Sequence, residues 1–151
     1  MGLSCTLHTL SSEGAARLAA GDESASPELI ASLKLEKTWG AVHYLVGGAP
    51  ETDEDNPRIE DFMLSGIFLD VSEHVAVHTG GEVQKFAALM KATSVEELSV
   101  RFNPETMNSE EVYGEPWDLS GKQYVMQLLS DFLQFIAAAA QEKHGMMVII
   151  C

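Results

Sequence analysis

His74-Val75-Ala76-Val77-His78 is the pattern in this chain that most resembles a metal site. On a helix, side chains four residues apart meet over one turn, where both rings can reach one zinc ion. On a strand they share a face but stand roughly 13 Å apart, four rises of about 3.3 Å. The alternation from His74 to Thr79 favours the strand, and no His-Glu-x-x-His motif is present. The expectation is therefore two solvent-facing histidines that share no metal. Asp53 and Asp55 resemble the start of a calcium loop, but Arg58 stands where the loop needs its glycine and Leu64 where it needs its bidentate glutamate. No metal and no other cofactor is expected.

Phosphate and acyl chemistry fit no better. There is no Walker A pattern, and Gly47-Gly48 and Gly80-Gly81 lack the third glycine of a dinucleotide fingerprint, so they read as turn residues. There is no Gly-x-Ser-x-Gly elbow. Cys5 and Cys151 fall in apolar stretches read as strands, where burial raises a thiol pKa and makes a poor nucleophile. No catalytic residue is assigned, and the reading leans away from an enzyme. What remains is His43. On a helix drawn from Leu35 to Val46 it lies at the shoulder of an apolar stripe of Leu35, Trp39, Val42 and Val46, with Tyr44 on the far side. A histidine there is either a packed, hydrogen-bonded ring or the edge of a pocket, where it titrates close to neutrality.

The elements that would position these groups are marked by their ends. Leu3 to Leu10 alternates as a half-buried strand, and Ser12 opens an alanine-rich helix that stops at Gly21. Ser26-Pro27 is a second helix start, and Gly47-Gly48 ends the Leu35–Val46 helix. The segment Ala49 to Arg58 is a solvated acidic loop. Phe62 to Leu69 is too short to assign. A strand over His74 to Thr79 precedes a helix from about Glu82 to Lys91. Ser94 with Glu97 and Asn103-Pro104 start two more helices. Ser120 with Gln123 opens the longest helix, whose apolar face runs from Tyr124 to Ala139, and Gly145 closes it. Met146 to Cys151 is apolar throughout, as in a strand buried on both faces and paired with others, the first strand among the candidates. The fold class is α+β: a single domain over 1–151, with N- and C-terminal strands in a small sheet against several helices and a long C-terminal amphipathic helix.

Charge narrows the partners. Among 151 residues, 23 acidic against nine basic give a net charge of −14. Such a surface repels nucleic-acid phosphates and anionic lipid, so neither nucleic acid nor membrane is an expected partner. A basic protein is compatible, and Glu51, Asp53, Glu54 and Asp55 of the acidic loop are its expected first contacts. Two cysteines make no disulfide framework, and no apolar run reaches membrane-spanning length, so a reduced, cytoplasmic chain is expected. Met1-Gly2-Leu3-Ser4-Cys5-Thr6 fits an N-myristoylation pattern but reads equally well as the approach to a strand.

Two stretches carry a family likeness. Leu35-Glu36-Lys37-Thr38-Trp39 followed by His43-Tyr44-Leu45 resembles the Asp-Lys-Ser-Trp…Leu-His-Tyr-Leu-Leu helix of the YfbM-like family of small bacterial proteins. Arg101-Phe102-Asn103-Pro104…Met107-Asn108 and Val112-Tyr113…Trp117 resemble that family's second signature. With Met1-Gly2, the long penultimate helix and the apolar end, the likeness covers essentially the whole chain. The departure is Val77-His78-Thr79-Gly80-Gly81, where the family carries a Gly-Pro-x-Arg-Tyr-Leu-like stretch. The resemblance implies an α+β fold and no reaction. Two functions stay open: a non-catalytic acidic protein-binding module of sequestering or immunity type, which is preferred, and a small-molecule binder or enzyme with a pocket near Trp39, His43, Tyr44, Tyr113 and Trp117.

Overall fold

The alternation near the start of the chain becomes β1 (Cys5–Leu10), with Cys5, Leu7 and Thr9 buried on one face and Thr6 and His8 half-buried on the other. The structure, a computed structural model, describes residues 3–22, 24, 27–46, 67–68, 74–91, 93–114 and 116–151. The remaining strands are β2 (Leu29–Glu36), β3 (Ile67–Phe68), β4 (His74–His78) and β5 (Gly145–Ile150). All neighbours are antiparallel, and the order across the sheet is β2-β1-β5-β4-β3. The helices are α1 (Ser12–Ala19), α2 (Trp39–Val46), α3 (Gly80–Lys91), α4 (Val95–Ser99), α5 (Pro104–Ser109) and α6 (Lys122–Gln141). The fold is α+β, as the sequence implies.

Register decides which side chains meet. Cys5, Leu7 and Thr9 lie opposite Ile150, Val148 and Met146, which in turn face His74, Ala76 and His78. This face joins the main core with Trp39, Val42, Phe86, Leu129, Phe132 and Ile136 from the helices. On the other face Leu10, Val77 and Met147 pack against Ala15 and Leu18 of α1. The α1 approach is close because Gly145 has no side chain: a Cβ there would sit 2.2 Å from the Ala15 Cβ and 2.8 Å from the His78 carbonyl oxygen.

Helix ends follow local chemistry, with some corrections to the expected boundaries. The cap of α1 is Ser11, not Ser12, its hydroxyl accepting from the Gly14 N–H at 3.0 Å. Ser94 and Asn103 cap α4 and α5 as expected, by accepting from Glu97 N and Thr106 N. Before α6, Asp118 caps a single 3₁₀ turn over 119–121 by accepting from Gly121 N, and α6 itself starts after Gly121 with no side-chain cap, so the Ser120–Gln123 capping box does not form. Tyr124 is 57 % exposed and lies off the buried face. The helix stops at Gln141 by a Schellman motif: Lys143 takes φ +60°, its N–H bonds Ala140 O, and His144 N–H reaches Ala139 O at 2.9 Å. Gly145 thus begins β5 and does not close the helix.

The largest correction concerns residues 27–38. No helix follows Pro27 (Ser26 lies outside the described residues), and Leu35 belongs to β2, not to α2. Leu35 is buried in the same core as Trp39, so its spacing fits an apolar stripe although the chain between them is not helical. Glu36 at φ +56° ends the strand, and the Thr38 carbonyl accepts from Ala41 and Val42, so helical bonding starts there. His74 to His78 is a strand as expected, but His78 is fully buried where a solvent-facing ring was anticipated. Its position beside Met146, under α3, leaves no route to water. Cys151 is the reverse case: it lies just past β5 and is exposed.

The close contact at Gly145 yields a paired test. Gly145→Ala should lower unfolding free energy by about 1–3 kcal/mol, as overpacked cores do. Gly81→Ala, in α3 with nothing within 4 Å of its would-be Cβ, should be neutral or stabilise by up to about 1 kcal/mol. Urea denaturation of both variants beside the parent checks this.

Candidate functional site

Of the eight residues of α2, only His43 and Tyr44 are not buried. At its first residue the Trp39 ring stacks on Tyr113, centroids 5.2 Å apart and planes 26° from parallel. Trp39 Nε1 donates to the Leu3 carbonyl at 3.2 Å, while the Tyr113 hydroxyl accepts the Leu3 N–H. The backbone of Leu3 is thus held at both its N–H and its C=O by side chains 110 and 36 residues away. Gly40 makes the approach possible, since a Cβ there would stand 2.3 Å from the Tyr113 carbonyl oxygen.

Tyr113 is presented by the chain beyond α5. That helix closes on Glu111 at φ +55°, with Val112 N–H reaching Met107 O at 2.9 Å. Asn108 then brackets the Trp117 backbone, its Nδ2 donating to Trp117 O at 2.9 Å and its Oδ1 accepting from Trp117 N at 2.7 Å. The indole Nε1 of Trp117 donates to Val112 O at 3.0 Å. A Cβ on Gly114 would fall 2.7 Å from the Trp117 ring, which places that ring against the residue after Tyr113.

The structure therefore gathers Trp39, His43, Tyr113 and Trp117 at one corner, with the His43 ring 6.5 Å from Trp39 and tilted 54°. Tyr44 turns elsewhere, its ring 4.4 Å beneath the Arg101 guanidinium, whose Nε also donates to the Tyr44 carbonyl at 2.9 Å. Burial pushes the Tyr44 hydroxyl pKa up, and a hydrogen bond to Glu110 adds to that against the opposing Arg101 charge. Glu51, Asp53, Glu54 and Asp55 lie outside the described residues. The indole N–H groups of Trp39 and Trp117 and the Tyr113 hydroxyl are all engaged by the chain's own backbone. Sequence reading did not assign Leu3, Gly40 or Asn108 to the site, although Asn108 lies in the second family signature, and these three build the corner. A glycine directly after a buried tryptophan was the available signal, since it marks close backbone approach.

Two further groups carry chemistry. His78 lies edge-on to Phe86, centroids 5.3 Å apart, with Nδ1 3.5 Å from Glu82 Oε2. The other Glu82 oxygen accepts from the Thr79 N–H and hydroxyl, while Glu82 N–H donates back to Thr79 Oγ1. This is a capping box at the start of α3 that the sequence reading did not register. Burial, with the neighbouring Cys151 thiol adding to it, pushes the Cys5 thiol up to about 12. Among the described residues no group of three or more His, Cys, Asp or Glu is arranged to hold a metal, and no helix is long and apolar enough to cross a membrane.

Three measurements follow from this geometry. Trp39→Ala should cost about 3–5 kcal/mol as a large-to-small core change. Tyr113→Phe should cost about 1 kcal/mol, the net worth of one hydrogen bond, and should speed hydrogen exchange at the Leu3 amide. For the thiols, native protein should titrate one cysteine, Cys151, and unfolded protein both. The Cys5 pKa is raised on folding, so its contribution is intact below the ordinary thiol value of 9.0 and is lost as pH climbs toward about 12. Over that window unfolding free energy should fall by about 1.4 kcal/mol per pH unit, a slope that Cys5→Ala removes.

Comparison with known proteins supplies the family. The crystal structure of YfbM from Escherichia coli, a protein of unknown function, superposes with a TM-score of 0.68 at 13% sequence identity, covering 98% of this chain and 99% of that one. At that identity the likeness shows the fold alone. No protein with a curated description matches the chain significantly. The family model for a domain of unknown function, DUF1877, matches residues 1–149. That match spans both aromatic signatures and all but the last residue of the terminal strand, and the chain belongs to the DUF1877 family.

Proposed function

We propose that this domain is a non-catalytic, acidic protein-binding module whose partner is basic. The observation that carries the reading is the distribution of charge. Between residues 95 and 118, Glu96, Glu97, Glu105, Glu110, Glu111 and Asp118 are exposed, while Arg101, the segment's one Lys or Arg, lies against Tyr44. A surface of one sign speeds encounter with a partner of the other, and the benefit falls with salt. The acidic loop residues Glu51, Asp53, Glu54 and Asp55 extend the same charge in sequence.

A second reading rests on the convergence of Trp39, His43, Tyr113 and Trp117 at one corner. On it, the corner edges a small-molecule site and His43 binds or relays a proton. Its groups are largely committed to holding the backbone, and for that reason the binding-module reading is preferred.

Affinity enrichment at low salt should retain a basic protein that is released at high salt. With that partner purified, replacing Glu51, Asp53, Glu54 and Asp55 by their amides should slow association and leave dissociation nearly unchanged. A salt-insensitive complex would sink this reading. The second reading instead expects a small molecule to raise the melting temperature, and His43→Ala to abolish that shift at little cost in stability. A merely packed His43 ring would cost about 1–3 kcal/mol on truncation, because its neighbours lose a polar contact.

A further inference from the structure

The outer pair of strands holds a serine, a histidine and a lysine together. Antiparallel pairing of β1 with β2 sets His8 opposite Ser32 and Thr6 opposite Lys34, in unbroken register from Thr6 to His8. Residues two apart on a strand share a face, so Ser32, Lys34 and His8 stand on one side of the sheet. His8 Nδ1 lies 2.6 Å from Ser32 Oγ, the separation of a nucleophile from its general base. Ser32 and Lys34 are exposed and His8 is half-buried. Among the described residues β2 is an outermost strand of the sheet, so a reactant reaches the hydroxyl from solvent.

Burial also holds the His8 ring below the usual histidine range. At neutral pH the imidazole is therefore uncharged and, in the tautomer with its proton on Nε2, accepts from the serine through Nδ1. In the other tautomer Nδ1–H donates to Oγ and the serine gains no reactivity.

We propose that Ser32 is an activated hydroxyl that accepts an acyl group from an activated acyl donor, an aryl ester or a thioester, with His8 as the base. Ser32 Oγ attacks the acyl carbonyl carbon as its proton passes to His8 Nδ1. The bond from that carbon to the leaving oxygen or sulfur breaks, and the leaving group takes the proton back from His8. The products are the serine ester and the free phenol or thiol, and the imidazole ends as it began. Lys34 supplies a positive charge beside the carbonyl oxygen as it becomes an oxyanion. This site is separate from the aromatic corner and from the acidic surface, and it does not depend on the function proposed above.

The test uses the full chain with p-nitrophenyl acetate, read by p-nitrophenolate release and by peptide mass spectrometry of the product. An acetyl group should appear on Ser32, and Ser32→Ala should lack it. His8→Gln, checked for native circular dichroism, should slow acetylation of Ser32 by about 100-fold, the low end of general-base catalysis. Lys34→Met should slow it less. The parent protein gives the same answer without a substitution: the rate at Ser32 should fall as acid protonates His8 and should be level by neutral pH. Acetyl groups found only on lysines or Cys151 would overturn the proposal. So would a Ser32 rate that is the same in His8→Gln and has no plateau with pH.

Discussion

A strand with hydrogen-bonded neighbours on both edges and helices over both faces has little contact with water at any position. Gly145-Met146-Met147-Val148-Ile149-Ile150 meets that demand, and its place between β1 and β4 sets most of the remaining architecture. The main core rests on Met146, Val148 and Ile150, and the smaller cluster under α1 rests on Met147. The ladder to β1 continues past the strand itself, where Ser4 and Cys151 exchange backbone hydrogen bonds of 2.7 and 3.0 Å. Partners such as Cys5 and Ile150 are 145 residues apart (150 − 5). Closing that ladder costs loop entropy before any burial offsets it, so folding of this topology is governed by long-range pairing more than by the helices.

The two faces differ in what they tolerate. The face under α3 accepts a buried imidazole because His78 enters the core beside the α3 capping box, with Glu82 close to its ring nitrogen. The α1 face depends instead on the near absence of side chain at Gly145. The outer strand is different again. β2 carries register irregularities at both ends, and the Thr9 hydroxyl accepts from the Ala31 N–H at 3.0 Å in the irregular stretch, which twists the edge away from further pairing. An edge treated in this way stays open to solvent and suits small reactants better than an added strand.

Legibility in the sequence followed how local the deciding interaction was. α4, α5 and the end of α1 were readable because a side chain or a left-handed residue within a few positions sets them. β4 and β5 were readable because alternation or unbroken apolarity reports the faces directly. β2 was not: Leu29 and Ile30 are exposed, Leu35 is buried, and nothing in that pattern distinguishes an edge strand from the approach to a helix. The burial of His78 also escaped, because alternation gives the face and not what covers it. At the candidate site, Trp39, His43, Tyr113 and Trp117 were legible as residues. Their union was not, since Trp39 and Tyr113 are joined through contacts far apart in the chain, Leu3 to Tyr113 being 110 residues apart.

The departure from the family pattern at Val77-His78-Thr79-Gly80-Gly81 has a structural account of its own. Val77 fills the α1 face, Thr79 caps α3, and a Cβ on Gly80 would stand 2.9 Å from the Lys143 carbonyl oxygen at the turn into β5. This stretch therefore supports β5 from the side. The aromatic corner, by contrast, uses the residues that carry the family likeness to hold the start of the chain in the sheet. Loss of Trp39 or Tyr113 thus removes architecture together with any activity, and only changes that spare the Leu3 contacts can separate the two.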